Sequence, residues 1–454
     1  MKIIIVGAGE VGYNIAKRLA SENKYVIVID QNHDACRRIS DDLDVQVITG
    51  SGSSPRVLLE AGIEDTDILL AVTDSDEINL VACLITNLLS PTTKKLARIR
   101  DSDFDAYHDS FKDQIPYIDT VINPEIEVVN TIRKLMDVPG AQDIGDFVDG
   151  KVKYVGIRLG NQCPIVGMRL IDFHAKFGED RPLIAAIIRN NEVIVPRGSH
   201  TIEPKDLVYF VCETQKLEKT LKLFDIEIHP IQSALIIGGG RIGTRLAKKL
   251  EQDGVKLKII EADRDRCHDL SEQMHKAVIL HGDGSDQKLF IEENAGQSDV
   301  VVCVTNDDET NVLVSLLAKS LGVKNTVTRI GKSSYYPLLA TIGIEKVVSP
   351  RLSAVSSILK DIRQGNVLSD ISILGERGEF IEAIALETSD ITNKPLKKIS
   401  FPKGSILLCI MRNGQVMIPS GTSVVIPGDR IILFAVKHAV KKLERMLTVK
   451  LDFF

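Results

Sequence analysis

A short apolar strand running into a glycine-rich turn occurs twice in this chain, and that repeat restricts the fold more than any other feature. Residues 3–12 read IIIVGAGEVG and residues 234–243 read ALIIGGGRIG. Gly7, Gly9 and Gly12 recur as Gly238, Gly240 and Gly243, each set spelling G-x-G-x-x-G. The same offset carries Val11, Ile15 and Leu19 onto Ile242, Leu246 and Leu250, an apolar stripe at four-residue spacing, and Asp30 onto Glu261. One such turn is weak evidence. Two, each after a strand and each followed by an acid at matched spacing, point to a duplicated nucleotide fold.

Each glycine has a separate physical task. The first makes the tight strand-to-helix turn, the second lets backbone approach a pyrophosphate, and the third lets helix pack on strand. Phosphates then meet free N–H groups at the positive end of the helix dipole. Asp30 ends the apolar run from Tyr25 to Ile29, and Glu261 ends the run from Leu257 to Ile260. An acid at that strand tip accepts hydrogen bonds from ribose hydroxyls and repels a 2′-phosphate, which favours NAD(H) or an adenine nucleotide over NADP. Within the turns, the second copy has Gly239 where the first has Ala8, and Arg241 where the first has Glu10. Arg241 either adds positive charge beside the phosphates or points to solvent.

Composition narrows the function. The net charge of −6 and a pI near 5.9 leave no basic field to hold nucleic acid or anionic lipid. Apolar runs are strand-length, as in Ile68-Leu-Leu-Ala-Val72, so no membrane span is expected. The chain starts directly on a core strand, which argues against a signal peptide. Seven scattered cysteines without a C-x-x-C suit buried thiols in a reducing cytosol. His33 and His281 lie near the turns without a ligand set around them, so no metal cage is expected.

Along residues 1–120, apolar runs at 3–6, 25–29, 45–48, 68–72, 96–99 and 118–122 alternate with helical patterns, as in a doubly wound parallel sheet. Asn123-Pro124-Glu125 then reads as a helix start leading to Met136. Ser349-Pro350-Arg351 repeats it, with a helix to about Arg363 and a break at Gly365. The stretches 141–225 and 366–450 read as small α+β lobes ending in helices at 215–223 and 437–447. Their hairpin turns fall at Asn190-Asn191 and Asn413-Gly414, and Pro204-Lys-Asp206 matches Pro427-Gly-Asp429. The expected modules are 1–137, 138–225, 231–363 and 366–450. The fold class is α/β: two Rossmann-like sheets, each followed by a small α+β lobe.

A second constellation follows the fourth strand. Thr73-Asp-Ser-Asp-Glu-Ile-Asn79 repeats as Thr305-Asn-Asp-Asp-Glu-Thr-Asn311 at the strand end, where open α/β sheets bind ligands. Thr73 with Asp74, and Thr305 with Asn306, are candidate pocket residues. The acids Asp76, Glu77, Asp307, Asp308 and Glu309 suit helix starts. Arg98 and Arg329 close the fifth strands and either pair with phosphate through a fork of N–H donors or bridge to a neighbouring acid. No catalytic acid–base set accompanies these residues, and no P-loop is present.

Two such turns with their acids, T-x-x-D-E-x-N and A/T-R-I, alternating with small lobes, resemble the tandem regulator-of-potassium-conductance (RCK, or KTN) family along essentially the whole chain. The resemblance implies a non-enzymatic, cytoplasmic regulatory subunit, peripheral on the inner face of the cell membrane. It would gate a Trk-type potassium-translocating partner, TrkH- or TrkG-like, in response to NAD(H), ATP or ADP. It also implies a homo-oligomer, such as a tetrameric ring. The contacts it implies fall on Gly7, Ala8, Gly9, Glu10, Val11, Asp30, Thr73, Asp74 and Arg98, and on Gly238, Gly239, Gly240, Arg241, Ile242, Glu261, Thr305, Asn306 and Arg329. The first copy has Gly50-Ser51-Gly52-Ser53 where the second has Gly282-Asp283-Gly284-Ser285, and so lacks the acid of that loop. The alternative is an NAD-dependent oxidoreductase with a duplicated cofactor domain.

Overall fold

Uninterrupted Val/Ile/Leu runs need burial on both faces, and the two nucleotide folds supply it as parallel sheets with helices on either side. The computed structural model describes residues 1–447 except 23, 108, 179–180, 191, 340, 363–366 and 374–376. Asn191 of the predicted turn, the predicted helix end at Arg363 with its break at Gly365, and residues 366 and 448–450 of the last expected module lie outside the described residues.

The first sheet comprises Lys2–Val6, Tyr25–Asp30, Gln46–Thr49, Ile68–Ala71, Lys94–Arg98 and Thr120–Ile122. The strands lie in the order third, second, first, fourth, fifth, sixth, all parallel. The second comprises Ser233–Ile237, Lys256–Glu261, Val278–His281, Val300–Cys303, Thr326–Arg329 and Lys346–Val348 in the same order. Strand order reverses beside the first strand of each, which opens a crevice where the glycine turn stands. The α/β class expected from sequence is the observed one.

Each lobe is a five-stranded antiparallel sheet. Ala141–Phe147, Val152–Arg158, Leu183–Arg189, Glu192–Ile194 and Leu207–Glu213 lie in the order fourth, third, fifth, second, first. The strands Val367–Ile373, Gly378–Ile384, Ser405–Arg412, Gln415–Met417 and Arg430–Val436 repeat that order. The two sheets share one core, in which the Phe380 ring lies 4.9 Å from Tyr154 and 5.7 Å from Phe147.

Turn chemistry sets the lobe corners. Asn413 and Gly414 take φ of +49° and +79°, the mirror-image turn that suits a twisted hairpin. Lys205 and Gly428 take φ of +66° and +88° behind their prolines. Each of those turns is closed by a buried acid that an arginine grips with two N–H groups. Arg189 Nε and Nη2 are 2.8 Å from Asp206, and Arg412 Nε and Nη2 are 2.9 and 2.7 Å from Asp429.

Packing does not follow chain order. One compact unit comprises Met1–Glu127 with the helix Pro350–Ile362, and the other Val128–Ser349 with the described residues from 367 onward. In the first unit, Ile358, Leu359 and Ile362 are buried with Ile15 and Leu19, and Lys94 Nζ donates to the Asp361 carbonyl at 2.9 Å. In the second, Val128, Val129, Ile132 and Leu135 are buried with Ile242, Leu246 and Leu250, and Lys346 Nζ donates to the Leu135 carbonyl at 3.2 Å. Burial pushes the Lys346 ammonium down to about 8. The helix that follows each nucleotide fold in sequence is thus built into the core of the other.

Candidate functional site

The first glycine turn is held from three sides. Gly7 takes φ +117° and donates its N–H to the Ile29 carbonyl at 2.8 Å. A Cβ there would lie 3.0 Å from the backbone of Val72 and Thr73. Ala8 N–H donates to Asp30 Oδ2 at 2.5 Å, and Asn32 N–H to Oδ1 at 2.8 Å, so the acid at the strand tip braces the turn. Gly9 is the N-cap of the helix Glu10–Ser21, with no side-chain cap, and a Cβ there would meet nothing within 4 Å. Gly12 is different: its Cβ would lie 1.8 Å from the Gly7 carbonyl oxygen. The second glycine leaves an open approach to uncapped N–H groups, whereas the third is demanded by packing.

The second turn repeats this. Gly238 takes φ +101°, Gly240 faces open space, and a Cβ on Gly243 would lie 2.0 Å from the Gly238 carbonyl oxygen. Gly239 N–H donates to Glu261 Oε2 at 2.6 Å and Asp263 N–H to Oε1 at 3.0 Å. Glu261 is one carbon longer than Asp30, and the turn residue opposite is correspondingly smaller. A Cβ on Gly239 would lie 2.3 Å from Leu270 Cδ1 and 3.2 Å from Glu261 Oε2, whereas Ala8 fits opposite the shorter acid.

The fourth-strand motif is wired by a residue to which sequence reasoning gave no role. Asn79 is fully buried, and its Oδ1 accepts from Thr73 N at 2.9 Å and Thr73 Oγ1 at 2.7 Å. Its Nδ2 donates to the carbonyls of Thr73 at 3.2 Å and Arg98 at 2.8 Å, joining both strand ends that flank the crevice. Asn311 does the same for Thr305 and Arg329. Recurrence of this asparagine in both copies was the available signal.

Asp76 and Asp308 do begin helices, as expected, but their carboxylates also accept N–H groups from the loop after the fifth strand. Asp76 Oδ2 holds Arg100 and Asp101 at 2.8 and 2.9 Å, and Asp308 holds Gly331 and Lys332. Arg98 is buried and donates to Asp74 Oδ1 at 3.1 Å, the acid-bridging alternative. Burial and the neighbouring Arg100 depress its pKa, against the pull of Asp74. In the second copy Asn306 replaces that acid, and Arg329 Nη1 donates to the Thr305 carbonyl.

Glu10 does not present the bare negative charge its position suggests. Arg38 Nη1 lies 3.1 Å from its Oε1 and Arg351 Nη1 lies 2.8 Å from its Oε2. Arg241 is exposed, and Val11 and Ile242 turn into the cores. Ser51 Oγ accepts from Ser53 N–H at 3.3 Å, closing the turn that Asp283 closes by accepting Ser285 N–H at 2.8 Å. All seven cysteines are free; Cys36, Cys83, Cys303 and Cys409 are buried, but Cys163, Cys212 and Cys267 are only partly so, which corrects the expectation of uniformly buried thiols. Burial raises the thiols of Cys83 and Cys303 to about 12.

This duplicated geometry coincides with known family models. The TrkA-N domain matches residues 3–124 and 234–350, and the TrkA-C domain residues 154–225 and 380–448. The chain belongs to the tandem TrkA-N/TrkA-C family. A Trk system potassium uptake protein TrkA of Azorhizobium caulinodans is 38% identical over 100% of both chains. One of Haemophilus influenzae is 33% identical over 98% of both. Among solved structures, the RCK domain of GsuK aligns with a TM-score of 0.60 at 18% identity, covering 98% of this chain and 94% of that one. The GsuK channel bound to NAD aligns at 0.61 and 18%, covering 98% and 78%. At that identity the likeness establishes the fold, and both TrkA-N segments end where the exchanged helices begin.

Proposed function

We propose that this chain is the nucleotide-binding regulatory subunit of a Trk-type potassium uptake system, and not an enzyme. The observation that carries the proposal is full-length similarity to TrkA potassium uptake proteins, joined to two crevices whose turns are built alike. Each crevice receives NAD(H), ATP or ADP, with phosphates over Gly9 or Gly240 and ribose at Asp30 or Glu261. The remaining contacts are Ala8, Glu10 and Val11 through their backbone, with Thr73, Asp74 and Arg98, in one fold. In the other they are Gly239, Arg241, Ile242, Thr305, Asn306 and Arg329.

Ligand energy acts by favouring one of two arrangements of the assembly, which requires unequal affinity for the two. The exchanged helices suit such a transmitter, because each ties one fold's sequence into the other's core. Among the described residues no helix is long and apolar enough to cross a membrane, so ion translocation is assigned to a partner subunit of the TrkH or TrkG kind. The subunit works at the cytoplasmic face as a homo-oligomeric ring, its modules in sequence being 1–137, 138–225, 231–363 and 366–450, with the helices that end the first and third exchanged in packing.

The test combines nucleotide titration with potassium uptake. Purified protein should bind NADH, ATP or ADP, and Gly9→Asp and Gly240→Asp should each remove one class of sites. Cells supplied with the cognate membrane subunit should need an intact chain for nucleotide-dependent uptake. Sustained oxidation of NADH with reduction of an added carbonyl substrate, in the absence of any membrane subunit and abolished by either glycine change, would replace this reading with the oxidoreductase one.

A further inference from the structure

The helix Pro350–Ile362 belongs in sequence to the second half of the chain, yet its apolar stripe is buried in the first nucleotide fold. That docking delivers Arg351, near its N-terminus, to the first glycine turn. The Arg351 side chain is 14% exposed, its Nη1 lies 2.8 Å from Glu10 Oε2, and its Nε is enclosed without a hydrogen-bond partner. Arg38 approaches the other oxygen of Glu10 at 3.1 Å, with its guanidinium 4.6 Å from the centre of the Tyr13 ring. Glu10 is the first residue of the helix whose N-terminus is left uncapped. Two guanidinium groups therefore converge on one carboxylate at the place where ligand phosphates are received. An arginine offers five donors in a rigid fork, and a buried donor without a partner is costly, so this cluster favours a more highly charged anion than one carboxylate.

We propose that Arg351 is a phosphate-binding, selectivity-determining residue of the first nucleotide site, contributed by the second half of the chain. Glu10 is the internal competitor that holds it until a polyphosphate takes its place. The inference rests on the nucleotide reading of that site. Sequence register supports a distinct role for each half: Arg241 stands at the position of Glu10 and Glu125 at that of Arg351, with both signs exchanged. A triphosphate gains more than a dinucleotide pyrophosphate from an added fork of donors, so the first site should distinguish ATP from NADH through Arg351.

The experiment uses the full chain with the second crevice closed by Gly240→Asp, titrated calorimetrically with ATP, ADP and NADH. Adding Arg351→Ala should weaken ATP about tenfold and NADH by less than about threefold, the loss of one charge-assisted contact. Arg351→Lys, which keeps the charge but not the fork, should recover part of the ATP affinity. Glu10→Gln, which removes the competitor without touching the arginine, should tighten ATP several-fold. If the Gly240→Asp parent binds ATP and neither Arg351→Ala nor Glu10→Gln alters the ATP-to-NADH ratio, Arg351 is a structural ion-pair partner only and the inference fails. If the parent binds none of the three nucleotides, the nucleotide reading of this site fails first.

Discussion

The three glycines of each turn should separate cleanly into one that serves ligand and one that serves the fold. Gly12→Ala places a methyl group 1.8 Å from the Gly7 carbonyl oxygen, where ordinary contact begins at about 3.4 Å. Gly7 has little room to retreat: it sits at φ +117°, hydrogen-bonded to Ile29, with the Val72 and Thr73 backbone only 3.0 Å from where its Cβ would be. A side-chain overlap costs about 1–3 kcal/mol, and a backbone overlap of this depth belongs above that range, at about 4 kcal/mol. Gly9 has φ −65° and ψ −174°, open to any L-residue, with nothing near its missing Cβ. Gly9→Ala should therefore change stability by less than about 0.5 kcal/mol while crowding the phosphate approach. Hydrogen exchange in the helix Glu10–Ser21 reads the difference without assuming that so large a chain unfolds in one step. Where exchange follows the opening equilibrium, 4 kcal/mol appears as roughly thousandfold faster exchange in Gly12→Ala and almost none in Gly9→Ala. Nucleotide affinity at the first site should fall in Gly9→Ala despite its intact protection. Wild-type protection in Gly12→Ala, or equal losses in both variants, would refute the assignment.

Two further outcomes follow from buried polar groups. Asn79→Ala leaves the Thr73 N–H and the Arg98 carbonyl without their partner, so the first nucleotide fold should lose about 2–4 kcal/mol, measured by the same exchange, and its ligand affinity with it. Burial raises the Asp143 carboxyl to about 6, against lowering hydrogen bonds from Tyr154 and Tyr209. Because the folded value lies above the unfolded value of about 3.9, its stabilising contribution is full below about pH 4 and is lost as pH rises through about 6. Urea midpoints of the lobes should fall over that window in wild type, and an Asp143→Asn chain with the same slope would contradict this.

Local chemistry was legible in the residues. The strand-and-turn repeat placed both crevices, and Asn123 accepts N–H groups from Glu125 and Ile126 as a helix start of that type should. The strand tips carrying Asp30 and Glu261 were placed correctly. Their bond to the turn itself was not foreseen, because it depends on how far a carboxylate reaches once the chain has folded. Asn79 and Asn311 stood inside a recognised motif, but a buried amide has four hydrogen-bonding sites, and their partners lie on another strand. Asp206 was aligned with Asp429 without any sign that Arg189 and Arg412 would grip those turns.

Sequence alone determined what short-range physics controls: parallel sheets from two-sided apolar runs, turns from glycine and proline, and helix starts from asparagine and proline. Tertiary structure alone decided which helix belongs to which fold. Val128, Val129, Ile132 and Leu135 form an apolar stripe much like that of Val355, Ile358, Leu359 and Ile362, and either could cover either sheet. The pairing of Glu10 with Arg351 shows the same limit. A surface charge carries no mark of its partner when hundreds of residues separate them, and that partner is fixed only when packing brings the two together.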